Sequence, residues 1–265
     1  MIEEIKYLLL GIIQGLAEFF PISSSGHIVL FSSLLDIAEE NPLLLSVTVH
    51  FATTLSTIII YRRRIKELCY GVFIDQNKNH VSFVLKIIMS SFPIIIVGFL
   101  FKDNIEVIFN NYYFVTIMLL LTATLLIGTS FISMGEKKIN YITALLMGVA
   151  QAFAILPGIS RSGATISMAL LLKVKSKDAA EFSFLMALLP ILGITLIEVI
   201  ALFYSDIKLS VDDITSLIIA FLSVFLSGLF ACKYMISIVA KNNLKYFGFY
   251  CIFISYVVLY FIFFK

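Results

Sequence analysis

The feature that most limits how this chain can fold is a polar, glycine-bearing segment that occurs twice within a very apolar sequence. Residues 11–27 align without a gap to residues 148–164. Gly11, Gln14, Ala17, Ile22, Ser23, Ser25 and Gly26 recur as Gly148, Gln151, Ala154, Ile159, Ser160, Ser162 and Gly163. Such a duplication implies two related halves, so the fold must accommodate two equivalent polar segments. The copies differ where chemistry is concentrated: Glu18 aligns with Ile155, His27 with Ala164, and Ser24 with Arg161. One copy carries an acid and an imidazole, the other a guanidinium.

The surroundings of these segments define their setting. With 60% hydrophobic residues, 14% charged residues and a mean hydropathy of +1.04, the chain lies outside soluble globular usage and reads as a polytopic, all-α membrane protein. Charge-poor runs at Leu43–Tyr61, Val81–Phe101, Tyr113–Ser133, Phe182–Tyr204, Ile214–Cys232 and Tyr246–Phe264 are long enough to cross a hydrocarbon layer of about 30 Å. The apolar stretches around the two motifs are broken by Pro, Gly and Ser. Irregular backbone at membrane depth is tolerated only where protein or a water-filled cavity satisfies it. Ile2–Leu35 and Tyr141–Leu172 are therefore expected to enter and return as helix–loop–helix segments; the competing reading is a pair of proline-kinked spans. The expected organisation is a single membrane domain of two inverted-topology repeats, about 1–133 and about 138–265, each with one re-entrant segment and three transmembrane helices.

Charge placement agrees with an inverted arrangement. Three spans between the copies put the halves in opposite orientation. Arg62, Arg63, Arg64, Lys66, Lys78, Lys86, Lys137, Lys138, Lys173, Lys175, Lys177, Lys233, Lys241 and Lys245 then share one side, against Lys6, Lys102, Lys208 and Lys265. By the positive-inside rule the first side is cytoplasmic and both termini are external. Glu3, Glu4, Asp36, Glu39, Glu40, Asp103, Glu106, Asp206, Asp212 and Asp213 gather outside. Glu3 and Glu4 stand where a cleavable signal would be basic. Cys69, Cys232 and Cys251 have no metal spacing and read as packing residues. The Arg62–Arg64 run reads as a topology anchor, with no nucleic-acid partner implied.

Paired broken segments in inverted repeats bring their tips together near the bilayer midplane. That would gather Gln14, Glu18, Ser23, Ser24, Ser25 and His27 against Gln151, Ser160, Arg161, Ser162 and Thr165. Isolated charges in lipid are costly, so Glu18, His27 and Arg161 are expected to share one cavity. The set suits a phosphate: a Ser/Gly loop leading into a helix N-terminus presents N–H groups and a positive dipole end to an anion, and a guanidinium forks onto two phosphate oxygens. Glu18 fits either as a ligand for a bridging hard cation, Mg²⁺ or Ca²⁺, or as a general base.

The spacing Gln14-x-x-x-Glu18, then Pro21-x-Ser23-Ser24-x-Gly26-His27, with Pro157-Gly158-x-Ser160-Arg161-Ser162-Gly163-x-Thr165 in the second copy, resembles the bacitracin-resistance family of integral undecaprenyl-pyrophosphate phosphatases over the full length. The resemblance implies metal-dependent hydrolysis of the C55 isoprenoid pyrophosphate to the monophosphate in the bacterial plasma membrane. This recycles the lipid carrier for peptidoglycan synthesis and gives bacitracin resistance. It also implies an interdigitated inverted repeat and a site open to the outside, and it allows a homodimer. Carried over residue by residue, Glu18 is the carboxylate that binds metal or assists catalysis, and Gln14 is its partner. Ser24 and His27 are the candidate nucleophile and its neighbour, and Arg161 with Ser160 and Thr165 forms the phosphate clamp. The family's first acidic-motif position takes Glu or Gln and is Gln14 here, which leaves Glu18 as the sole motif carboxylate. The attacking group stays open: Ser24 activated by His27, His27 itself, or water assisted by Glu18 or His27.

Plain structural roles compete at several positions. Gln14/Gln151 and Ser23/Ser160 are explained by helix capping and loop closure as well as by ligand contact. Ser25/Ser162 and Gly26/Gly163 read as architecture. His50 and Glu198 are polar residues within spans, serving either ion contact or cross-helix bonding. The rival function is a prenyl-phosphate transporter that flips lipid without hydrolysis, for which the Ser/His/Glu set beside an anion clamp is more than binding requires.

Overall fold

An apolar chain with few charges must satisfy its backbone internally, and helices do so within a single segment. The computed structural model describes residues 2–28, 42–101, 108, 111–205, 210–241 and 243–264. Its helices are α1 (Ile2–Phe19), α2 (Pro42–Phe73), α3 (Lys78–Leu100), α4 (Tyr112–Thr129), α5 (Tyr141–Phe153), α6 (Arg161–Leu171), α7 (Ser176–Phe203), α8 (Val211–Ala240) and α9 (Lys245–Phe264). No strand occurs among the described residues, only an isolated bridge between Lys137 and Val174. Asn111, Asn140 and Ser210 start α4, α5 and α8 by accepting from an N–H inside the first turn, so these polar residues set where the apolar helices begin.

Among the described residues, five helices are long and apolar enough to cross a membrane: Leu43–Ile60, Lys78–Leu100, Tyr112–Thr129, Ser176–Phe203 and Asp213–Ala240. They match five of the expected spans; the sixth expected span falls on α9, whose apolar stretch Lys245–Tyr260 is shorter than the other five. The second motif segment is built from two short helices. α5 has 13 residues and α6 has 11, or about 20 Å and 16 Å of helix, each shorter than the hydrocarbon layer. The two ends of the segment meet. Lys137 N–H donates to the Lys173 carbonyl at 3.0 Å, and Lys175 N–H donates to the Lys137 carbonyl at 3.1 Å. The helix–loop–helix therefore folds back on itself, the geometry expected of a re-entrant segment. In the first copy, α1 and the turn at 24–28 are described. The return through Leu35, and Asp36, Glu39, Glu40, Lys102, Asp103, Glu106, Asp206, Lys208 and Lys265, lie outside the described residues.

Several of the basic residues expected on one side, Arg64, Lys86, Lys137, Lys173 and Lys175, lie at helix ends that contact one another. Arg64 Nε donates to Glu181 Oε1 at 2.8 Å across α2 and α7. Lys173 Nζ donates to Ser133 Oγ at 2.8 Å, and Lys86 Nζ lies 5.3 Å from the Tyr141 ring centre. Packing is exchanged between the halves: α1 lies chiefly on α8, α5 on α3, and α4 on α9. Small residues permit the closest crossings. A Cβ on Gly15 would stand 2.5 Å from the Val224 carbonyl oxygen, and one on Gly148 would stand 2.3 Å from that of Ser90. Met147, Ile166, Phe182, Met186, Met235 and Leu244 form the main buried cluster, while large apolar side chains such as Phe99, Ile197 and Phe203 face outward, as a lipid-facing surface requires. Cys232 and Cys251 pack inside as expected, whereas Cys69 is exposed.

Candidate active site

Both motifs fold into the same local device. Ser160 is the N-cap of α6, its Oγ accepting from Gly163 N–H at 3.1 Å and lying 3.3 Å from Ser162 Oγ. In the first copy, Ser23 Oγ accepts from Gly26 N–H at 3.3 Å and lies 3.3 Å from Ser25 Oγ. The repeated Ser23/Ser160, Ser25/Ser162 and Gly26/Gly163 thus build matching caps, as the architectural reading held. The loops that lead into the caps differ. The left-handed residue is Ser23 itself in copy one (φ 69°) and Gly158 in copy two (φ 97°). Gly158 has no room for a side chain, since a Cβ there would lie 2.3 Å from the Val115 carbonyl oxygen.

Thr122 of α4 pins the second loop. Its hydroxyl donates to the Gly158 carbonyl at 2.9 Å and accepts from Ser160 N–H at 3.0 Å. This fixes the start of α6, whose first residue is Arg161. Arg161 Nη2 pairs with Glu18 Oε1 from the last turn of α1, their side chains 23% and 7% exposed. Gln14, one turn earlier, donates through Nε2 to Glu18 Oε2 at 3.3 Å. The half-buried Ser24 side chain stands beside the same carboxylate. Thr165 follows one turn behind Arg161, 2.6 Å from Ser183 Oγ of α7. A cavity of about 20 Å³ is lined by Glu18, Thr53, Thr57, Arg161, Ser162 and Ser183. That is room for little more than one water, with the ion pair forming part of its wall.

His27 follows Ser24 in the same helical turn and is held by the loop and by α9. Its Nδ1 lies 2.8 Å from the Ser23 carbonyl oxygen, which can only accept, so Nδ1 carries a proton. In the neutral ring Nε2 then accepts from the Tyr250 hydroxyl of α9 at 2.9 Å, and the two rings stack at 5.5 Å. At 1% exposure, His27 has both ring nitrogens occupied by groups other than Ser24. Gln151 is also fully buried, and neither polar atom of its side chain has a hydrogen-bond partner. The structure therefore brings Gln14, Glu18, Ser24, Arg161 and Ser162 to one place, uses Ser23 and Ser160 as caps, and holds Thr165 against α7.

Sequence reasoning missed Tyr250, Thr122, Thr53, Thr57 and Ser183. Each is a hydroxyl within an apolar helix, and its only signal was a polar group at membrane depth.

The family model described as "Bacitracin resistance protein BacA" matches residues 7–257. The chain belongs to this family. Relatives over nearly the whole BacA chain are each named undecaprenyl-diphosphatase. That of Christiangramia forsetii is 43% identical over 247 residues, 92% of each chain. That of Bacteroides thetaiotaomicron is 42% identical over 249 residues, 93% of this chain and 94% of its own. That of Bacteroides fragilis is 41% identical over 257 residues, 96% and 97% respectively. Both motifs of this BacA chain fall inside the matched span, and so do all the cavity-lining residues.

Proposed function

We propose that this BacA-family protein hydrolyses undecaprenyl pyrophosphate to undecaprenyl phosphate and inorganic phosphate, regenerating the lipid carrier for peptidoglycan synthesis and thereby conferring bacitracin resistance. The observation that carries this reading is the Glu18–Arg161 ion pair, set beside Ser24 at the capped start of α6. An incoming pyrophosphate would take the Arg161 guanidinium, with its forked donors, and the N–H groups at the start of α6. Glu18 would then be released from its partner. Freed in this way, it accepts the proton of the attacking oxygen, which belongs to Ser24 or to water. Arg161 and the helix terminus stay in place to stabilise charge spread over the phosphoryl oxygens. In this reading the His27 ring braces the Ser23 turn from behind. Ser160, Ser162 and Thr165 hold the α6 end in register, and Gln14 orients Glu18.

A divalent cation, Mg²⁺ or Ca²⁺, fits the donor set. Gln14 Oε1 is buried without a hydrogen-bond partner close to the Glu18 carboxylate, and both are hard oxygen donors. Among the described residues no group of three or more His, Cys, Asp or Glu side chains could hold a metal alone, so phosphate oxygens and water would complete the shell. When bound, the cation would neutralise phosphoryl charge.

We also read the chain as two inverted repeats in the bacterial plasma membrane, with the site opening outward. Support comes from the exchanged packing of α1 on α8 and α5 on α3 and from the basic end formed by Arg64, Lys86, Lys137, Lys173 and Lys175, which the positive-inside rule assigns to the cytoplasm. A homodimer is compatible with this arrangement.

The test is phosphate release from undecaprenyl pyrophosphate by detergent-purified protein, with and without EDTA, beside Arg161→Ala. Release that requires a divalent cation and Arg161 supports the proposal. No release from folded, metal-supplied protein would overturn it in favour of a lipid carrier.

A further inference from the structure

We propose that His50, oriented by Glu198 and Ser46, is a proton-transfer station connecting the Glu18–Arg161 centre with the far end of α2 and α7; this rests on the hydrolysis proposed above. Ser46, His50, Thr53 and Thr57 follow one another at helical spacing, so they share one face of α2. Thr53 and Thr57 line the cavity that holds Glu18, as do Ser183, Ala187 and Ile191 of α7. Further along the same two helices the cluster closes. Ser46 Oγ donates to Glu198 Oε1 at 2.9 Å and lies 3.4 Å from His50 Nδ1. His50 Nδ1 stands 3.7 Å from Glu198 Oε2, the side chains 29% and 16% exposed. Thr53 Oγ1 donates to the His50 carbonyl at 3.0 Å, linking the cluster to the cavity wall.

A carboxylate and an imidazole inside spans are costly, and α2 and α7 have ample apolar surface with which to pack. Two polar atoms of α7 on this face, Thr195 Oγ1 and Glu198 Oε2, are buried without a hydrogen-bond partner. Groups of this kind are the ones that ordered water satisfies. They lie one turn apart, between Ile191 of the cavity wall and His50.

The orientation of the ring follows from its neighbours. With Ser46 O–H turned to Glu198, both Ser46 Oγ and the carboxylate present acceptors to Nδ1, so Nδ1 carries a proton and Nε2 is left to exchange one. From α7 the facing charged group is Glu198. From α1 it is Glu18, whose own contacts are to Gln14 and Arg161. At this level α8 presents the Phe221 ring to Phe51, and the described α3 contacts to α2 sit at Arg64–Phe83 and Gly71–His80.

When the attacking oxygen bonds phosphorus, its proton passes to Glu18, and the electron pair of the broken P–O bond stays on the leaving phosphate oxygen. The proton then moves through water to His50 Nε2 and on to solvent, which restores the Glu18 carboxylate.

The experiment is the pH profile of kcat for phosphate release by the purified wild-type protein, His50→Gln and Glu198→Gln, with thermal unfolding measured for each. The expected result in His50→Gln is a fall of at least about tenfold in kcat with KM unchanged, a pH profile that differs from that of the wild type, and partial recovery with added imidazole. Glu198→Gln should show a smaller fall in kcat, again with KM unchanged. Wild-type kcat and profile in folded His50→Gln and Glu198→Gln would overturn this inference alone. Absence of release by folded wild-type protein would overturn the hydrolysis reading and this inference with it.

Discussion

Glu18 and Arg161, 143 residues apart in the chain, form an ion pair where the end of α1 meets the beginning of α6. One motif copy supplies the carboxylate and the other, at a different motif position, the guanidinium. The asymmetry of the duplication is thus resolved as a single pair shared between the halves. Removing either partner leaves a charge uncompensated in a mostly buried site, which typically costs about 3–5 kcal/mol. Arg161→Ala should lower kcat/KM for phosphate release by about 10²–10³. Arg161→Lys should restore little, because an ammonium lacks the planar fork. Steady-state kinetics on the two variants would check this, and near-normal turnover in Arg161→Ala would remove the clamp from the mechanism.

Glu18→Gln keeps the shape of the side chain and removes its charge. We expect the protein to fold and bind substrate while phosphate release falls at least about 10²-fold, the lower end for a positioned general base. Single-turnover measurement at saturating substrate separates this from a loss of binding.

Tyr250→Phe deletes the hydroxyl that donates to His27 Nε2. A buried acceptor left unpaired costs about 1–3 kcal/mol, so a lower unfolding temperature is the expected outcome. If His27 only braces the Ser23 turn, kcat should change far less than in Glu18→Gln. A loss of kcat as deep as that of Glu18→Gln, at unchanged stability, would return His27 to the list of reacting groups.

Thr122→Val removes a hydroxyl that both donates to Gly158 and accepts from Ser160. The volume is conserved while two loop groups lose their partner, so about 1–3 kcal/mol of stability should be lost. Because the loop sets the start of α6, activity should fall with it although Thr122 is not a cavity-lining residue. Thr122→Ser, which keeps the hydroxyl, should recover both in the same unfolding and kinetic assays.

Gly15→Val tests the exchanged packing. A side chain at this position meets the Val224 carbonyl and Ser227 Oγ, and overpacking costs about 1–3 kcal/mol or more. The expected readout is reduced yield of folded protein in detergent, with Gly15→Ala intermediate. Full stability in Gly15→Val would mean that α1 and α8 do not cross this closely.

The sequence by itself determined the all-helical membrane character, the positions of the spans, the broken second segment and the motif residues. Those properties are local or periodic: an apolar run of sufficient length must become a span, and a Pro/Gly/Ser break must end a helix. It also singled out Glu18, Ser24 and Arg161, which tertiary folding then gathered. Only the tertiary structure decided the partners. Glu18 pairs with Arg161, and His27 bonds to Tyr250. Thr122 holds the loop before Arg161, and Ser46, His50 and Glu198 join across α2 and α7. Apart from Ser46 and His50, these partners lie far apart in the chain, and hydrogen-bond complementarity leaves no periodic trace in a one-dimensional pattern. A hydroxyl on an apolar helix looks the same whether it bonds its own backbone one turn back, as Thr116 does at 2.8 Å, or reaches another segment. Which of the two it does is settled by the helix that packs beside it.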